Sequence, residues 1–112
     1  MNTFSELETY LQDLKAGKAV LIDVREPIEY QRFHVEKALL WPLSVIEKSS
    51  HEQLVEFFKP YQGKHLYLHC RSGTRVLYAL EKIKAHFPHL FRIPQSPEQI
   101  QSFIEDHASK QR

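Results

Sequence analysis

Cys70-Arg71-Ser72-Gly73-Thr74-Arg75 is the segment whose residue types and spacing could do chemistry. It follows an apolar run, His65-Leu66-Tyr67-Leu68-His69, and precedes a helical pattern carried by Val76, Leu77, Leu80 and Ile83. The cysteine is the only one in the chain, and it falls where a buried strand ends and a helix begins. Main-chain N–H groups at a helix start are unpaired and carry the positive end of the helix dipole, so they favour an anion. A thiolate is such an anion, and a position of this kind lowers a cysteine pKa from its free value of about 8.5. Arg71 and Arg75 act in the same direction. The chemistry expected here is that of an activated sulfur nucleophile.

The elements that must hold this loop alternate along the chain. A helix is predicted from Ser5, with a capping box to Glu8, through Lys15, with Leu7, Leu11 and Leu14 on one face. Gly17 stops it. Ala19 to Val24 is a continuous apolar run, as expected of a strand covered on both faces. Pro27 suits a first helical turn, with a short helix to Phe33. Ala38 to Trp41 is a second strand, ended by Pro42. His51 to Tyr61 forms a helix, His65 to His69 the third strand, Arg75 to His86 the next helix and Phe91 to Ile93 a fourth strand. Ser96-Pro97-Glu98-Gln99 opens a last helix that runs to His107. The alternation predicts one α/β domain over residues 1–112, a mostly parallel central sheet flanked by helices on both faces.

Composition bounds the function. A chain of 112 residues, 42% hydrophobic, is enough for one core. Its 15 basic and 14 acidic residues leave a net charge of +1 and no basic stripe, which argues against nucleic acid as a partner. No apolar stretch reaches the ~20 residues of a membrane span, and the first residues lack the pattern of a signal peptide. One unpartnered cysteine fits a reducing compartment, so a cytoplasmic location is expected. A dithiol–disulfide reductase would need a second, resolving thiol. Of the seven histidines, His65 and His69 share a strand face but lie ~13 Å apart at the strand rise. No metal-ligand spacing exists, so neither metal nor cofactor is expected.

In open parallel sheets, ligands bind outside the carboxyl ends of the strands. Cys70 sits at one such end and Asp23 with Arg25 at another, so the two groups are expected on one rim. Arg25 and Glu29, four apart, are expected to form a structural ion pair behind the site. Asp23 is expected to accept hydrogen bonds from neighbouring loops. A bare carboxylate beside Cys70 would raise the thiol pKa, so Asp23 is given no catalytic part. Ser72 and Thr74 either line the loop or cap the following helix.

Three stretches together resemble the rhodanese-like (single-domain sulfurtransferase) family. Leu21-Ile22-Asp23-Val24-Arg25-Glu26-Pro27, followed by Glu29-Tyr30, is similar to its first-strand signature. Phe33-His34-Val35 with Ala38 and Leu40-Trp41-Pro42-Leu43 is similar to its second motif. His69 to Arg75 is similar to its active-site loop. Two places depart from the family. Glu36-Lys37 stands where Pro-Gly is usual, and Phe91 to Pro97 lacks the family's glycine pair.

The resemblance implies sulfur transfer through a Cys70 persulfide. A small anionic donor such as thiosulfate gives up its outer sulfur, and a thiol, cyanide or protein acceptor removes it. Loop N–H groups from Arg71 to Arg75 would then ring the persulfide, with Gly73 allowing close approach. Arg71 would bind the anionic donor and Arg75 would fix the loop. The four residues between Cys70 and Arg75 are one fewer than in the loop of phosphatases or arsenate reductases of similar fold. The competing expectation is a rhodanese-like binding module without turnover, recruiting a partner protein.

Overall fold

The computed structural model describes residues 6–85, 87 and 89–110. Its elements run α1 (Glu6–Lys15), β1 (Ala19–Asp23), α2 (Pro27–Arg32), β2 (Leu39–Leu40), α3 (Leu43–Lys48), α4 (His51–Phe58), β3 (His65–His69), α5 (Arg75–Ile83), β4 (Leu90–Ile93) and α6 (Pro97–Lys110). The strands form one parallel sheet in the order β2-β1-β3-β4. The predicted α/β class is therefore observed. Ser5 of the expected capping box and the helix end at His86 lie outside the described residues.

Because strand side chains alternate between faces, the sheet builds two cores. Ile22, Val24, Leu66, Leu68 and Cys70 point to one face, where α3, α4 and α5 cover them with Ile46, Leu54, Phe58, Val76, Ala79 and Ile83. Leu21, Tyr67 and Ile93 point to the other, against Leu7 and Tyr10 of α1 and Ile100 of α6. The continuous apolar runs seen in the sequence are what two covered faces require.

Several boundaries differ from expectation, each for a local reason. The helix expected to continue to Tyr61 breaks after Phe58 into a 3-10 turn, Lys59–Tyr61. Pro60 has no N–H and its ring crowds the preceding turn. The short helix α3, after Pro42, was not foreseen. Its six residues are too few to show a helical period.

The turn between α2 and β2 holds the chain's departure from the family pattern. It closes with the Ala38 N–H donating to the Val35 carbonyl (3.0 Å), and its third residue, Lys37, has φ +73. That is the left-handed position for which a type II turn favours glycine. The backbone shape is reached here with lysine, at a strain of about 1 kcal/mol. The Glu36 N–H also donates to Gln101 of α6 (3.0 Å), which ties the turn down.

Candidate active site

Asp23 and His69 are register partners at the ends of β1 and β3, so the rims of the two central strands coincide. The Val24 N–H donates to the His69 carbonyl (3.0 Å) and the Trp41 N–H to the Asp23 carbonyl (2.9 Å), carrying the alignment past the strand ends. Cys70 leaves β3 on the α5 side of the sheet, and the chain loops through Arg71 to Thr74 before α5 begins at Arg75. Sequence reasoning expected Cys70 and the Asp23–Arg25 pair on one rim, and the fold brings them there.

The sulfur is sheltered. Cys70 is 1% exposed and packs within the core cluster beneath α5. Its Sγ accepts the Gly73 N–H at 3.1 Å. The sequence led us to expect several loop amides around this sulfur, but among the described residues Gly73 alone donates to it. Gly73 has φ +88, and a Cβ there would stand 3.3 Å from the Pro94 Cα. Both the dihedral and the close approach require glycine. Arg92 of β4 donates to the Gly73 carbonyl (3.4 Å), holding the loop from its other side.

Arg75 clamps the loop to α2. Its two terminal nitrogens donate to the two Glu29 oxygens at 2.7 and 2.9 Å, and Glu29 also accepts the Glu26 N–H at 3.0 Å. The paired guanidinium lowers the Glu29 carboxyl from 4.5 to about 2, against the opposing pull of burial. The expected pair of Arg25 with Glu29 does not form. Arg25 lies before the first turn of α2, so the four-residue helical spacing does not apply to it. Its Nε and Nη2 instead donate to the buried Asp23 carboxylate at 2.8–3.1 Å, and Nη2 reaches the Phe33 carbonyl at 2.6 Å. Asp23 is thus consumed by one neighbour, which also donates its main-chain N–H (3.0 Å).

His69 is fully buried behind the loop. Its Nδ1 lies 3.2 Å from the Cys70 carbonyl, to which it must donate, and Nε2 lies 3.8 Å from Asp23. Burial lowers its pKa, with Asp23 opposing, so the ring is neutral at pH 7. Among the described residues Nε2 has no hydrogen-bond partner. Ser72 and Thr74 are exposed. Thr74 stands at the N-cap of α5 with helical dihedrals and makes no side-chain cap bond.

Arg71 is exposed and forms one wall of a cleft of about 410 Å³. The remaining lining is Arg25, Glu29, Arg32, Phe33 and Glu98. Cys70 is the residue before Arg71 and is not part of that wall. Sequence reasoning missed Arg32, Phe33 and Glu98. They come from α2, its C-terminal end and α6, and only the tertiary fold gathers them beside the loop.

These features define a parallel α/β domain that presents a single cysteine in a tight loop at the carboxyl edge of its sheet. The chain belongs to the rhodanese-like domain family, whose model matches residues 6–101. It is 34% identical over 85 residues to an adenylyltransferase and sulfurtransferase, MOCS3, of Drosophila persimilis. That match takes in 74% of this chain and 18% of the relative, so the chain spans about a fifth of that protein's length. Among solved structures, an uncharacterized protein of Saccharomyces cerevisiae shares 26% identity with a TM-score of 0.63, covering 93% of each chain. A human single-domain sulfurtransferase, TSTD1, shares the fold at 23% identity and a TM-score of 0.64, with 79% of this chain and 85% of that one covered. No helix among the described residues is long and apolar enough to cross a membrane.

Proposed function

We propose that this protein is a sulfurtransferase that carries sulfane sulfur as a persulfide on Cys70. The observation that carries the proposal is the Gly73 N–H held 3.1 Å from the Cys70 sulfur, in a family-matched loop. The Cys70 thiolate attacks the outer sulfur of thiosulfate, the sulfur–sulfur bond of the donor breaks, and sulfite leaves with the electron pair. An acceptor thiolate or cyanide then attacks the outer sulfur of the persulfide, and Cys70 leaves as thiolate. One hard transfer becomes two easier ones, as in other covalent catalysis. The exposed Arg71 guanidinium suits the sulfonate oxygens of the donor, because its planar fork binds two oxygens at once. Arg75, held by Glu29, fixes the loop, and Ser72 and Thr74 complete it.

The mass of the intact protein after thiosulfate treatment tests this. Wild-type protein is expected to gain one sulfur atom and Cys70→Ser none. The 1% exposure of Cys70 gives a second reading its footing. A sulfur so enclosed suits a module that binds a partner protein without turnover. Wild-type protein that stays unmodified and releases no sulfite favours that reading over transfer.

A further inference from the structure

Five of the six residues lining the cleft beside the loop are charged. A charge that already has a partner offers a ligand little, since one ion pair is only exchanged for another. Arg25 is engaged by Asp23 and the Phe33 carbonyl, and Glu29 by Arg75. Arg32, Arg71 and Glu98 have no ion pair or side-chain hydrogen bond among the described residues. What remains is two cations and one anion around the 37%-exposed ring of Phe33. Glu98 sits in the first turn of α6, where a carboxylate suits the helix dipole. That role alone gives no reason for a carboxylate to share a wall with two free guanidiniums.

We propose that Glu98 and Arg32 sort sulfur acceptors by charge, favouring a thiol that carries both an ammonium and a carboxylate group. The proposal rests on the sulfurtransferase reading and concerns its second step. There the acceptor thiolate forms a bond to the outer persulfide sulfur, the bond between the two sulfurs on Cys70 breaks, and the electron pair returns to Cys70. Glu98 meets the ammonium and Arg32 and Arg71 meet the carboxylate, in a cleft that reaches the loop through Arg71, the residue after Cys70. A neutral thiol gains from neither contact.

The test is sulfite release from thiosulfate with three acceptors in turn: cysteamine, which is cationic; 2-mercaptoethanol, which is neutral; and 3-mercaptopropionate, which is anionic. Taking the variant-to-wild-type ratio of kcat/KM for each acceptor cancels their different thiol acidities. Two unit charges ~4 Å apart in water interact by about 1 kcal/mol, which is about fivefold. Glu98→Gln is expected to lower the value for cysteamine about fivefold, raise it for 3-mercaptopropionate and leave 2-mercaptoethanol unchanged. Arg32→Ala is expected to lower the value for 3-mercaptopropionate, raise it for cysteamine and leave 2-mercaptoethanol unchanged. Near ~1 M salt, where the Debye length falls to about 3 Å, these differences are expected to shrink.

A uniform change across the three acceptors, as a purely structural role of Glu98 would give, overturns the proposal. So does a set of ratios indifferent to salt. Wild-type protein that releases no sulfite with any acceptor overturns the sulfurtransferase reading and this inference with it. Sulfite release that ignores acceptor charge overturns this inference alone.

Discussion

Glu29→Gln removes one charge from the clamp on the loop and keeps its shape. In the wild type, Arg75 meets both carboxylate oxygens and the Glu26 N–H meets one of them. The carboxyl is lowered from 4.5 to about 2 by these bonds. Fully shielded from water, a shift of that size would correspond to roughly 3 kcal/mol. The two side chains are 34% and 27% exposed, and solvent screening reduces the value to about 1–2 kcal/mol. The folded state binds this proton more weakly than the unfolded chain does. The stabilisation is therefore complete above the unfolded carboxyl range near 4.5 and is lost as pH falls from there toward about 2. Urea unfolding at pH 7 should show Glu29→Gln less stable by about 1–2 kcal/mol, with the gap narrowing steadily below pH ~4.5. The Arg75→Met variant and the double variant complete a cycle whose coupling should match that gap. Equal stability at pH 7, or a gap unchanged down to pH ~2.5, would refute the account of Arg75 as the anchor of the loop.

Two further outcomes test the backbone. Lys37→Gly should raise stability by no more than about 0.5 kcal/mol, or up to roughly 3 °C in Tm, because relief of the left-handed strain is largely offset by glycine's greater freedom when unfolded. A lower melting temperature would show that Lys37 holds the turn by some other contact. Gly73→Ala should cost about 1–3 kcal/mol, because alanine disfavours φ +88 and its Cβ presses on Pro94. It should also slow sulfur loading by at least ~10-fold, as the displaced amide no longer faces Cys70. Loading at the wild-type rate, followed by mass, would remove Gly73 from the site.

How much of this was legible in the sequence depended on whether the signal was local. The placement of Cys70 at a strand-to-helix junction followed from one apolar run and one helical period; β3 formed at its expected bounds and α5 began at Arg75 as expected, ending at Ile83. The parallel sheet followed in the same way, because strands buried on both faces leave no polar alternation to misread. Arg25 and Glu29 failed as a pair because their spacing was read as helical, while the helix begins only at Pro27. Asp23 then won Arg25, being both nearer and fully buried, where an unpaired carboxylate is most costly. The shelter around Cys70 was hidden as well. It depends on which face the side chain takes after β3 and on the three helices, α3, α4 and α5, that cover that face. Arg32 fell in no motif, Phe33 and Glu98 entered only as a family-like position and a helix start, and nothing short of the folded chain puts α6 next to α2.

Trp41 gives the rim an optical handle. Its indole stacks on Phe57 at 3.9 Å and meets Phe58 edge-on, while its main-chain N–H is fastened to the Asp23 carbonyl. It is the single tryptophan of the chain and is 7% exposed. Loss of this packing carries the indole from an aromatic stack into water, which moves its emission to longer wavelength. The fluorescence of unlabelled protein therefore reports directly on the junction of β1, β2 and α4.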